Sequence, residues 1–200
     1  MITDYSSLKT TLATWMHRSD LTAQIPDFIA LAEAKFSTDL DARDMEARVV
    51  LTLTPGDAYL DLPADMLEMR RLMVLTNPTQ TLKYATPDQI AADYPLDSQG
   101  KPLVFSVIGG KLQLAPVPDS DYPIELTYKQ RIPALYDANP TNWLLTKWPN
   151  AYLYGALCAA QPYIMNDSRL VTFQSLYKEA VNGINEIDWY SGSTLQVRAR

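Results

Sequence analysis

The chain has 200 residues, 47% of them hydrophobic and 20% charged, with a formal net charge of −6. A chain of this length forms one domain, or one domain with an insertion, and buries roughly 70% of its unfolded surface. The acidic balance excludes broad contact with nucleic-acid phosphates, which requires clustered Lys and Arg, while an acidic wall lets DNA pass without sticking.

The N-terminus, MITDYSSLKTTLATW, lacks a basic stretch followed by an apolar one. No apolar run approaches the ~20 residues that cross a bilayer. Neither a signal peptide nor a membrane span is therefore expected. Cys158 is the only cysteine, so no internal disulfide can form. Its apolar neighbours Ala156, Leu157, Ala159 and Ala160 mark it as a core thiol.

The first block, 1–48, is predicted to be helical. Leu8, Leu12, Trp15 and Met16 stripe a short helix, with Asp4 or Ser6 available as its cap. A second helix starts near Ile25 with Pro26 in its first turn. It puts Ile25, Phe28, Ile29, Ala32, Phe36 and Leu40 on one face and Asp27, Glu33 and Lys35 on the other.

The middle block, 49–135, is a β-rich insertion that holds most of the 14 prolines. Strands are predicted over 49–53 and 59–62 around the turn Thr54-Pro55-Gly56-Asp57, and a third over 71–75. Two more, over 103–108 and 111–114, flank Gly109-Gly110, a hairpin signal because both positions tolerate positive φ. A last strand covers 124–128. Thr86-Pro87-Asp88 starts a short helix over 87–93.

The third block, 136–190, is predicted to be helical again. Pro149 and Asn150 open a helix carrying Tyr152, Leu153, Ala156, Leu157 and Ala160. Asn166-Asp167-Ser168 starts another, carrying Leu170, Phe173, Leu176, Tyr177, Ala180, Val181, Ile184 and Ile187. Ser191-Gly192-Ser193 then breaks the pattern. In the tail, 191–200, Leu195 and Val197 fall on one side of an extended strand, and Arg198 and Arg200 carry charge with no acid. The order of elements gives an α+β fold: a helical bundle built from the N- and C-terminal segments, an inserted small antiparallel β-sheet, and an extended C-terminal tail. Residues 1–190 read as a single domain.

Chemistry is sparse. His17, the one histidine, lies at a helix end with no nucleophile or orienting partner legible beside it. Asp39, Asp41, Asp44 and Glu46 are dense enough to hold a hard cation, but the stretch lacks the glycine and terminal glutamate of a calcium loop. They read as a solvated or subunit-contact patch paired with Arg43 and Arg48. No catalytic, metal or cofactor residue is assigned. The aromatic set of the third block, with Trp148, Tyr152 and Tyr154 foremost, is expected at a subunit interface, because the basic partners of a base-stacking platform are missing.

An ordered set of segments carries a resemblance. It comprises Ile25-Pro26-Asp27-Phe28-Ile29-Ala30-Leu31-Ala32-Glu33-Ala34, then Tyr59-Leu60-Asp61-Leu62-Pro63-Ala64-Asp65. Further along come Pro133-Ala134-Leu135, Thr141-Asn142-Trp143-Leu144-Leu145 and Tyr152-Leu153-Tyr154-Gly155-Ala156-Leu157, with Tyr163, Asp167 and Tyr177 beyond. In these the chain resembles tailed-bacteriophage head-to-tail adaptors. Gln161-Pro162 departs from the pattern, placing a proline where a continuous helix is expected, so a kink or break is predicted there. The resemblance implies a virion protein of the neck, made in the host cytoplasm and assembled as a ring of about twelve copies between portal and tail proteins. DNA would only pass through its channel. The tail residues Leu195, Val197, Arg198 and Arg200 would then contact the portal. Two other readings stay open: a different tail-completion or stopper protein, and a small enzyme with an unrecognised site.

Overall fold

A computed structural model describes residues 1–95, 98–164 and 167–188. Among them are six helices and two four-stranded sheets, an α+β fold. The first half of the chain contains α1 (Tyr5–Met16), α2 (Ile25–Asp39), β1 (Glu46–Thr52), β2 (Tyr59–Asp61), β3 (Met66–Val74), β4 (Gln80–Thr81), β5 (Lys83–Tyr84) and α3 (Pro87–Asp93). The second half contains β6 (Val104–Ile108), β7 (Lys111–Ala115), β8 (Pro123–Gln130), α4 (Trp143–Lys147), α5 (Pro149–Tyr163) and α6 (Asp167–Asp188). The chain divides into two compact units, one of Met1–Met45 with Ile132–Arg200 and one of Glu46–Arg131.

The first unit is helical. α1 begins at a capping box: the Asp4 carboxylate accepts the Ser7 amide at 2.7 Å, and the Ser7 hydroxyl accepts the Asp4 amide at 3.0 Å. It ends at His17, whose φ of 54° is left-handed and whose amide donates to the carbonyls of Ala13 and Thr14. The histidine therefore serves first as a C-cap, a place glycine usually fills. α2 buries Ile25, Phe28, Ile29, Ala32 and Phe36, with Leu40 buried just beyond its end. α5 packs against α2 and against α6. Gly155 makes the first of these contacts possible, since a side chain there would start 3.0 Å from Phe36 Cζ and 3.2 Å from Ala32 Cβ. The proline expected to interrupt this helix, Pro162, falls in its last turn, one residue before the helix ends at Tyr163. α4 lies within the block 136–190 that is expected to be helical. Asn142 caps it, its side-chain oxygen accepting the Leu145 amide at 2.8 Å.

Two helical expectations are corrected. Ile187, assigned to the buried stripe of α6, is exposed. Cys158, assigned to the core, is only half-buried; it lies between the faces that α5 turns to its neighbours. Burial still pushes its thiol above the usual range.

The second unit holds both sheets, ordered β1-β8-β3-β4 and β2-β7-β6-β5. Residues of both join one apolar cluster that includes Leu72, Val74, Leu112, Leu114, Ile124 and Leu126. The Gly109-Gly110 hairpin forms as expected, with φ of 58° and 80° and Ile108 opposite Lys111. The strands around Thr54-Pro55-Gly56-Asp57, in contrast, do not pair. β1 pairs with β8 and β2 with β7, in different sheets. Alternation marks a strand without naming its partner, and the later β8 offers a longer apolar match. A single antiparallel sheet is thus replaced by two, and β5 joins β6 in parallel.

β8 runs between β1 and β3, and its Glu125 is enclosed there by the guanidinium groups of Arg48 and Arg71, with a 3.2 Å contact to the latter. The Arg48 hydrogen bond holds the carboxyl below its usual range. A depressed carboxyl contributes stability above its unfolded value, about 4.3, and loses it as pH falls through the lower folded value. Glu125→Gln is therefore expected to be less stable than the parent at pH 7 and to close that gap below about pH 4. Urea melts across this range test it; a gap independent of pH would refute the assignment.

Candidate assembly surface

Two clefts lie along α6 in the helical unit. One has a volume of about 510 Å³ and is lined by Thr14, Trp15 and His17 from the end of α1 and by Arg169, Thr172 and Phe173. The other, about 270 Å³, is lined by Trp148 at the junction of α4 and α5, by Asn150 and Tyr154 of α5, and by α6 residues that include Leu176, Glu179 and Gly183. Trp15 links them. Its ring meets Tyr154 edge-on at 6.2 Å, geometry that aromatic pairs favour, and lies tilted against Phe173 at 6.3 Å. The result is an aromatic seam following α6.

The structure therefore brings Trp148 and Tyr154 to one cleft, both half-buried. Tyr152 is elsewhere. It is 0% exposed, and its ring packs on Phe36 at 5.0 Å. Its hydroxyl donates to Glu33 at 3.1 Å and accepts from the Asn142 amide at 2.6 Å. Placing Tyr152 at a subunit interface is corrected on this ground: about half a turn of helix separates the face that Tyr154 turns to α6 from the face that Tyr152 turns to α2, and Tyr152 has no surface left for a neighbour. Leu195, Val197, Arg198 and Arg200 lie outside the described residues.

Helical spacing alone puts Glu33 on the polar face of α2. Its carboxylate instead also accepts the Leu135 amide at 2.8 Å, tying the segment before α4 to α2. Desolvation pushes this carboxyl above its usual range. The acidic cluster is likewise occupied. Asp39 accepts from the Tyr177 hydroxyl at 2.9 Å, Asn185 bridges the Asp39 carbonyl and the Asp41 amide, and Asp44 pairs with Lys147 at 2.6 Å. These acids hold helices together. No group of three acidic, His or Cys side chains is gathered for a metal among the described residues.

Helical spacing puts Trp15 and Phe173 in apolar stripes, and nothing in the sequence singles out Arg169. Position is the signal: Trp15 sits one residue before the end of α1, where a large ring outlasts the partners that would cover it. No helix of the described residues is long and apolar enough to cross a membrane.

A search among curated proteins gave no match. A family model described as SU10 adaptor protein matches residues 3–198. That match spans both units described here and the segments on which the adaptor resemblance rests. The chain belongs to the SU10 adaptor protein family of bacteriophage structural proteins.

Proposed function

We propose that this chain is the head-to-tail adaptor subunit of a virion neck, forming a ring of about twelve copies between portal and tail proteins, with DNA passing through the central channel. The family match across nearly the whole chain carries this reading. An aromatic seam with two open clefts supports it, because Trp and Tyr are enriched where protein surfaces meet. So does the net charge of −6, which suits a wall that DNA slides past. Trp148 and Tyr154 are assigned to subunit contacts.

The tail is assigned to the portal. Leu195 and Val197 alternate with polar residues, a pattern that adds to a sheet edge through main-chain bonds. Arg198 and Arg200 supply forked donors for carboxylates on the receiving surface. The test mixes purified protein with portal and images the complex by electron microscopy. Rings are expected on portal with the full chain. Deleting 191–200 should leave the circular dichroism spectrum unchanged and abolish portal binding. Full binding by the truncated protein would overturn the tail assignment, and absence of any ring from the full chain would overturn the adaptor reading.

A further inference from the structure

The cleft at the end of α1 has a chemistry that selects its occupant. Trp15, 41% exposed, stands over Phe173 as an apolar floor. Among the lining side chains that the structure describes, the charged or titratable ones are Arg169 and His17. An occupant must bring an apolar side chain for the floor and an acid for the rim.

The outward side of α2 presents that pair. Leu31 is 58% exposed, unusual for a leucine in the middle of a helix. Ala30 and Ala34 beside it are also exposed, so little stands in the way of a close approach. Asp27, exposed in the first turn, precedes Leu31 by four residues and so shares its face. Arg169 precedes Phe173 by the same four residues on α6. Both separations are about 6 Å along the axis. When the two helices run parallel and Leu31 of one sits on the Trp15–Phe173 floor, Asp27 comes into register with Arg169.

We infer that the outward face of α2 in one copy docks into the Trp15–Arg169 cleft of the next. The inference rests on the ring reading above. A closed ring of identical copies requires two different, mutually complementary patches on each subunit, and one patch here belongs to α2 while the other belongs to α1 and α6. The charges match in sign, and each partner exposes apolar surface that the other covers.

The test uses full-length protein assembled on portal. Asp27→Arg and Arg169→Glu should each cut ring occupancy by about tenfold, since each puts like charges together, and the two combined should restore it to within about twofold of the parent. Both positions are exposed, and unchanged thermal melts will show that the variants fold. Single variants that assemble like the parent, or a double variant no better than the worse single, would overturn the inference. A second measurement does not depend on charge. Leu31→Cys with Thr172→Cys, in a Cys158→Ala background, should give a ladder of covalent oligomers with a short bismaleimide. Rings seen by microscopy without a ladder would overturn the docking mode and leave the adaptor reading standing. If the parent forms no ring on portal, both fall.

Discussion

Tyr152→Ala is expected to lower the unfolding free energy of the isolated protein by about 3–5 kcal/mol, the range for deleting a buried aromatic ring. The residue is wholly enclosed, its ring on Phe36 and its hydroxyl between Glu33 and Asn142. Removal opens a cavity and leaves two polar groups without their shared partner. Tyr152→Phe separates these losses. The ring stays while the hydroxyl goes, and a cost of about 1–3 kcal/mol is expected from the stranded Glu33 and Asn142. Glu33→Gln should be close to neutral at pH 7, because the amide oxygen still accepts from Leu135 and Tyr152 while the buried charge is gone. Urea unfolding of the protein alone, without portal, measures all three. If Tyr152 instead served subunit contact, Tyr152→Ala would melt like the parent and fail only in assembly. That outcome would reject the core assignment.

The helices were legible because their signals are local. Asp4 four residues ahead of Leu8, Pro26 behind Ile25, and Thr86 ahead of Pro87 fix starts that no distant contact needs to confirm. The Gly109-Gly110 hairpin is local in the same sense. What failed to show was partnership. Nothing between 49 and 62 reveals that the two strands there belong to different sheets, since the choice is made by β7 and β8, fifty or more residues later. The aromatic seam was half-visible for a similar reason. Tyr152 and Tyr154 look alike in a list of aromatics, yet two residues on a helix are separated by about 200°. One therefore faces α2, and the other faces the cleft beside α6. Glu33 shows the limit from the polar side: a carboxylate on a helix reads as solvated until the chain from 133 to 142 returns to cover it.

Gly155→Val is expected to destabilise the helical unit by several kcal/mol, more than any exposed substitution in α5. Ala32 and Phe36 on α2 lie against the Gly155 backbone, and the first carbon of any side chain would fall 3.0 Å from Phe36 Cζ. Phe36 cannot swing aside. It is fully buried between Tyr152 at 5.0 Å and Tyr177 at 6.0 Å, and Tyr177 is anchored in turn to Asp39. Gly155→Ala sets two terms against each other. Alanine gains about 1 kcal/mol in helix propensity, while overpacking costs about 1–3 kcal/mol, so a net loss is expected but a small one. Valine adds two methyl groups to the same gap, and the packing cost dominates. The diagnostic is a cycle with Phe36→Leu, which shortens the side chain that Gly155 admits. The leucine variant alone should be destabilised by its cavity, yet Gly155→Ala made on that background should cost less than on the parent, with a coupling of about 0.5–3 kcal/mol. Additive costs, or a Gly155→Val protein as stable as the parent, would mean that α2 and α5 do not approach through this glycine.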